Sequence, residues 1–254
     1  MTRRHFRARL LTRPIARFMV WPWLAMGLWY VLHTAPGAWA QTGKPVVHVF
    51  LQLDAKASVI EKTLQAQLPD LTVTVFGRFR DFEDGVVNSH PDAMVSITPV
   101  LQQRGKTPTL QGQRAGKSSE PYVLASVNQP IEGPLTGKSI GVVDLFGRDG
   151  TQAFLNSLLG VTDVKVKRVA KLEDLLPLLE FSAADGIVFP ASTLSQLVER
   201  TRLVIRTREL PGPLVGLPAV AVLNPAAREV ILRSFRSLDG PTKHLLGIDA
   251  WRVE

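Results

Sequence analysis

Cysteine is absent from the 254 residues, which excludes disulfides, thiolate metal sites and a lipid-modified cysteine at a processed N-terminus. Aromatic residues are thin in the body of the chain. Four of the five tryptophans precede residue 41, leaving Trp251, Tyr122 and scattered phenylalanines, too few for a sugar binder that stacks rings on its ligand. No acidic residue occurs in residues 1–40, where six of the 30 Lys and Arg lie. The remainder holds 24 basic against 22 acidic side chains, a net of +2, so most of the whole-chain +8 belongs to the N-terminus. Nucleic acid is therefore set aside as a partner. A long apolar run is missing too, since FMVWPWLAMGLWYVL is about fifteen residues against the roughly twenty of a membrane-spanning helix.

What the N-terminus does contain is an export signal. Arginines precede the short apolar run, and Ala38-Trp39-Ala40 supplies a small-residue cleavage site before Gln41. Thr2-Arg3-Arg4-His5-Phe6 also resembles a twin-arginine signal. Residues 1–40 are read as a signal peptide and the mature chain as a periplasmic protein.

From Lys44 onward, strand-like and helix-like segments alternate. VVHVFLQ is followed by ASVIEKTLQAQL, with Ile60, Leu64 and Leu68 on one face, and by LTVTVF. Repetition of this pattern predicts an α/β protein with mainly parallel sheets. Pro177 inside LEDLLPLLEF predicts a kinked or ended helix. An internal echo divides the chain. Gly43-Lys44-Pro45-Val46 resembles Gly137-Lys138-Ser139-Ile140, and Asp92-Ala93-Met94-Val95 resembles Asp185-Gly186-Ile187-Val188, at nearly the same offset. Two similar lobes with a cleft between them follow, and Asp92 and Asp185 are read as turn or cap residues.

No catalytic set assembles. His48, His90 and His244 are far apart and lack metal-ligand spacing, and no nucleophile elbow is read among the serines. His48, within a strand, is read as a satisfied structural histidine. The four arginines of RTRLVIRTREL (Arg200, Arg202, Arg206, Arg208) are read as a solvated face or a docking patch. The glycine-rich turn Gly147-Arg148-Asp149-Gly150 before a helix admits two readings. Arg148, Gly150 and Thr151 could hold an oxyanion at the helix N-terminus, or Asp149 could simply N-cap the helix while the glycines turn the chain.

Read in order, DAMVSITPVLQQRG, EPYVLASVNQPI, LTGKSIGVVDLFGRDGTQAFLNSLLG, LEDLLPLLEFSAADGIVF, GLPAVAVLNPAAREVILRSFRSL and HLLGID resemble the phosphate/phosphonate-type periplasmic substrate-binding proteins of ABC transport, with the type II binding-protein fold. The resemblance implies two Rossmann-like α/β lobes with a hinge and an inter-lobe cleft that closes on its ligand. It puts lobe 1 at 41–120 plus 211–254 and lobe 2 at 121–210, with crossovers near 121–124 and 209–213. It implies capture of a small oxyanion such as a phosphonate or phosphate for uptake, no cofactor, no metal and no catalysis, with a membrane permease or sensor protein as partner. Ligand-binding residues are expected at Arg148, Gly150 and Thr151, with Thr98, Tyr122 and Ser192 as further candidates. SITP at Ser96–Pro99 is similar to the ligand-holding turn of amino-acid binders, although Leu101 stands where their arginine would fall and Arg104 comes a turn later. An amino acid or other carboxylate is the alternative ligand, and a ligand-sensing subunit the alternative role.

Overall fold

The computed structural model describes residues 43–53 and 55–254, so the export signal read in residues 1–40 lies outside the described residues. Strand β1 (Val46–Val49), helix α1 (Ala57–Gln67), β2 (Thr72–Val75), α2 (Phe79–Ser89) and β3 (Ala93–Ile97) form a βαβαβ run in which β1 pairs in parallel with β2 and β3. Helix α3 (Thr98–Gln103) opens at the SITP turn, with Pro99 in its first turn, where no intrahelical N–H is needed. Strand β4 (Leu110–Gln113) and the two-residue β5 (Ser119–Glu120) lead out of this lobe.

The second lobe comprises β6 (Tyr122–Val127), β7 (Ser139–Val143), α4 (Gly147–Leu159), β8 (Lys165–Val169), α5 (Leu175–Glu180), β9 (Gly186–Pro190), α6 (Leu194–Glu199) and β10 (Ile205–Glu209). The chain returns through β11 (Val215–Gly216), and β12 (Pro218–Val222), α7 (Arg228–Arg236), α8 (Gly240–Leu245) and β13 (Ala250–Val253) complete the first lobe. The sheet orders are β13-β4-β12-β3-β1-β2 and β10-β6-β9-β7-β8, while β5 and β11 pair antiparallel as the hinge.

The expectation of mainly parallel sheets is corrected. Parallel pairing is confined to the neighbours of β1 and β7; β12, β13, β6 and β10 all pair antiparallel. A parallel neighbour requires a crossover helix, whereas β6 and β12 enter their sheets directly from the hinge. Pro177 does not break a helix either. Residues 172–174 form a 3₁₀ turn and α5 starts at Leu175, so the proline occupies the first turn and removes no needed hydrogen bond.

Period-two alternation sorts β1 onto two cores. Val47 and Val49 pack in one cluster with Ile60, Leu64 and Leu68, whereas Phe50 belongs to a second cluster that continues through Phe79 and Phe82 into Leu145 and Phe146 of the other lobe. His48 lies on this second face, its ring 4.9 Å from that of Phe76.

The internal echo has a physical basis. Asp92, just before β3, accepts the Val46 N–H at the start of β1 at 2.8 Å. Asp185, just before β9, accepts the Ser139 N–H at the start of β7 at 2.7 Å. Each aspartate closes the open end of the strand that its own strand joins, so the two lobes repeat one construction. The backbone bond from Ser139, assisted by Lys138, holds Asp185 below the ordinary carboxylate range. Its stabilising contribution is therefore complete above about pH 4 and fades as pH falls through the depressed value.

His48 is only half satisfied. Ser89 Oγ donates to the Gly85 carbonyl (2.8 Å) and so receives the His48 Nε2–H at 3.0 Å, while Nδ1 is buried without a partner. Burial lowers the His48 pKa, so protonation favours the unfolded chain; stability is full above about pH 6.5 and declines below it. His48→Gln should flatten the change in urea midpoint between about pH 7 and about pH 5. Asp92 also accepts from Asn224 Nδ2 at 2.6 Å, so Asp92→Ala should cost about 1–3 kcal/mol, the penalty for a stranded buried donor. Urea denaturation at neutral pH measures it, and an unchanged midpoint would refute the closing role of the carboxylate.

Candidate functional site

Between the lobes, on the hinge side, lies a cleft of about 590 Å³. Leu51, Gln52 and Leu53 enter it because the chain leaves β1 at the C-terminal end of the sheet, and Ile97 enters at the matching end of β3. The 244–247 segment at the end of α8 closes the same wall. From the second lobe come Tyr122 at the start of β6, Pro190 at the end of β9, and Ser192, Thr193, Gln196 and Arg200 from the turn and helix that follow. Glu120, Val215 and Gly216 of the hinge form the floor.

Two of the six expected ligand residues meet here. Tyr122 is buried, and its hydroxyl donates across the lobes to Gln52 Oε1 at 3.5 Å. Burial first, and the Glu120 charge second, raise its pKa well above the usual phenol range, so it remains a donor. Ser192 lines the cleft, and its N–H donates to Glu120 Oε2 at 3.4 Å. Glu120 is also paired with Arg114 at 3.2 Å, and Arg114 donates in turn to the Gly247 carbonyl.

Thr98 stands behind the floor, where a Cβ on Gly216 would come within 2.5 Å of its own Cβ. Its hydroxyl lies 2.8 Å from Gln111 Oε1 and 3.1 Å from the Leu217 carbonyl. The buried Gln111 directs its amide nitrogen to Leu217 O at 3.1 Å and to Ser118 O at 3.4 Å. Thr98 thus packs against β11 and, through Gln111, is tied to the residue that precedes β5.

The glycine-rich turn is engaged elsewhere. Thr151 is fully buried; its hydroxyl donates to Asp144 Oδ1 at 2.8 Å and accepts the Phe146 N–H at 3.2 Å, while Arg168 holds the other oxygen of Asp144 at 2.9 Å. Helix α4 begins at Gly147, directly after Phe146, with no side-chain cap, so Asp149 is an exposed first-turn acid and not the N-cap. Arg148 is exposed as well and lines neither this cleft nor the smaller cavity described below. Gly147, at φ +73°, lies against the Phe79 ring, 3.6 Å from where a Cβ would stand. A Cβ on Gly150 would meet Phe146 Cβ at 2.6 Å and the amide end of Gln103 at 2.8 Å. What the turn holds, in this structure, is the other lobe.

Leu101 is fully buried, and Arg104 is committed to Glu83 at 3.0 Å with its guanidinium 5.1 Å from the Phe82 ring centre. Neither serves the cleft. Gln52, Arg114, Glu120 and Gln196 line the cleft unexpectedly, as do His244, expected only as an isolated histidine, and Arg200, expected only as part of a charged surface. Contrary to the expectation that no nucleophile elbow occurs, the string Gly137-Lys138-Ser139-Ile140-Gly141 spells Gly-x-Ser-x-Gly. Ser139 opens a strand and is bound to Asp185, so it is not the strand-to-helix elbow that nucleophilic catalysis requires. Among the described residues no three His, Asp or Glu side chains converge as a metal site, and no helix is long and apolar enough to cross a membrane.

A second cavity, of about 250 Å³, lies on the far side of residues 51–53. Lys56 and Ser58 at the start of α1 border it, together with Phe76, Val143, Lys171 and Leu172. Leu51, Gln52, Leu53 and Ala55 line both cavities and form the wall between them.

No protein-family model matches the chain, and no curated protein matches it in sequence. Solved structures do match. XAC2383 from Xanthomonas citri bound to chloride ion is 12% identical over 82% of this chain and 91% of its own, with a TM-score of 0.57. The GluR0 ligand-binding core from Nostoc punctiforme in complex with L-glutamate is 13% identical over 80% of this chain and 97% of its own, with a TM-score of 0.53. The periplasmic VFT2 domain of Bordetella pertussis BvgS is 14% identical over 80% of this chain and 93% of its own, with a TM-score of 0.51. At 12–14% identity these likenesses show the fold: two α/β lobes on a double hinge, in the architecture of the type II periplasmic binding proteins.

Proposed function

We propose that this protein is an exported, periplasmic solute-binding protein that holds a small organic anion in the hinge-side cleft and presents its occupancy to a membrane partner. The lobes of the clamp are assigned as 41–120 with 211–254, and 121–210. No reaction on the ligand is part of this reading. The fold neighbours support it, since they include a substrate-binding protein of an amino acid ABC transporter and complexes with L-glutamate and with chloride ion.

The observation that carries the ligand class is the composition of the cleft. Its 590 Å³ falls within the roughly 300–1,000 Å³ of organic-ligand pockets. Leu51, Leu53, Ile97, Val215, Leu245 and Leu246 give it apolar walls, while Ser192, Thr193, Gln196 and Arg200 supply donors on one side. A bare phosphate would leave the leucines uncovered. A carboxylate or phosphonate with an organic body would cover them and meet a cation, the pairing in which hydrogen bonds are strongest. Glu120 favours a second reading, an amino acid, whose ammonium group would compete with Arg114 for that carboxylate.

Transport and sensing differ in the partner and not in the cleft. A permease with its ATPase encoded beside this chain would favour uptake; a sensor kinase there would favour sensing.

Calorimetric titration with glutarate, L-glutamate, methylphosphonate and inorganic phosphate separates the ligand classes. Binding is expected for an organic anion and not for phosphate alone. Arg200→Gln should weaken that binding by about 1.5–3 kcal/mol, the scale of a charged hydrogen bond, while Arg148→Ala should leave it unchanged. Loss of affinity in Arg148→Ala with none in Arg200→Gln would return the site to the glycine-rich turn and overturn the assignment.

A further inference from the structure

Four side-chain nitrogens among the described residues are buried without a hydrogen-bond partner: His48 Nδ1, Gln52 Nε2, Arg104 Nε and Trp251 Nε1. Only one of them belongs to a residue that borders the two inter-lobe cavities. His48, Arg104 and Trp251 line neither, whereas Gln52 lines both. A buried amide donor without an acceptor lowers stability, so its position in the ligand cleft calls for a compensating role.

Two features of Gln52 bear on that role. Its Oε1 receives the Tyr122 hydroxyl at 3.5 Å, the long limit of a hydrogen bond, and that phenol remains protonated. The contact therefore orients the amide, with oxygen toward the second lobe, yet holds it weakly. Gln52 also follows β1 in the stretch that forms the wall between the cavities, so its amide stands beside the ligand cleft.

We propose that Gln52 is a specificity-determining residue of the clamp: its unpaired NH₂ group donates to an oxygen of the bound anion, and Tyr122 sets which end of the amide is offered. The inference rests on the cleft reading above and names the group that selects for an acceptor. A ligand oxygen satisfies the stranded donor. A ligand that presents only N–H groups at this point leaves it stranded and is rejected. Such discrimination by a buried polar group exceeds what apolar contacts achieve.

The test uses the full mature chain and two readouts. In the free protein, Gln52→Met keeps the side chain's length and removes the stranded donor but also the acceptor of the buried Tyr122 hydroxyl; added to Tyr122→Phe, which lacks that hydroxyl, it should raise the melting temperature by about 2–4 °C, the shift expected of a small gain in a domain of this size. Gln52→Met alone should weaken the tightest of glutarate, L-glutamate and methylphosphonate at least tenfold. Gln52→Glu, which offers an acceptor and a negative charge, should weaken it further. Tyr122→Phe should reduce affinity less than Gln52→Met, because it releases the amide without removing it.

A lowered melting temperature when Gln52→Met is added to Tyr122→Phe would identify Gln52 as a structural residue and overturn the proposal, as would unchanged affinity in Gln52→Met for a probe that binds the parent protein. Should none of the probes bind the parent, the ligand class of the cleft fails, and the stranded donor at Gln52 is judged by the melting shift alone.

Discussion

The site depends on a buried amide that lies outside it. Gln111 sits on β4, almost wholly buried, and its side chain reaches Thr98, Leu217 and Ser118. Those contacts fasten the first residues of α3 to both segments that cross between the lobes, while Leu217 N–H donates to Ser118 O at 2.9 Å and joins the crossings to each other. The hinge strands are only two residues long and could not define an inter-lobe geometry unaided, because two residues of ladder supply few bonds. A saturated polar network in a low-dielectric interior adds rigidity at the first-lobe end of the hinge. Compliance is left to the contacts of Glu120, which are a partly exposed ion pair with Arg114 and a long bond from the Ser192 N–H.

The glycine-rich turn shows how a correct local reading can lead to a wrong environment. Strand, turn and helix were all legible in GVVDLFGRDGTQAFLNSLLG, and the structure has β7, the turn and α4 there. Close approach of a partner to the backbone was legible too. The identity of the partner was not. Glycine admits any neighbour that needs the room, and here the neighbours are Phe79 and Gln103 of the other lobe. Nothing in residues 147–151 records that, because the contact is decided by residues some fifty to seventy positions earlier. The hydroxyl of Thr151, attractive as an anion donor, is consumed by Asp144 and Phe146 within its own lobe.

Much of the fold was readable because it is periodic. Ile60, Leu64 and Leu68 fall on the buried face that their spacing predicts, and the repeated aspartates mark a construction used twice. Strand direction was not readable, since it depends on where the hinge returns the chain. The cleft was readable only in part for a related reason. Tyr122 lies close to the crossover and could be found from it; Gln52, Arg114, Glu120 and Arg200 come from four separate elements and converge only after folding. Arg200 is instructive, because within an arginine-rich segment its sequence context argues for solvent, while its place just past the end of α6 brings it to the cleft.

The charge arrangement constrains how a ligand enters. Glu120 is held by Arg114 on one side and by the Ser192 N–H on the other, so the sole carboxylate among the described lining residues faces an arriving anion already partly neutralised. On the proposed reading an anion is therefore repelled only weakly by the floor, while the leucines contribute burial in proportion to the apolar area covered. Pairing Glu120 within the hinge also ties ligand charge to lobe position. A cationic group that displaced Arg114 would loosen the link between β5 and the first lobe, whereas an anion leaves it intact. The same floor thus transmits different consequences for the two classes of ligand, and an anion is the class that preserves the hinge.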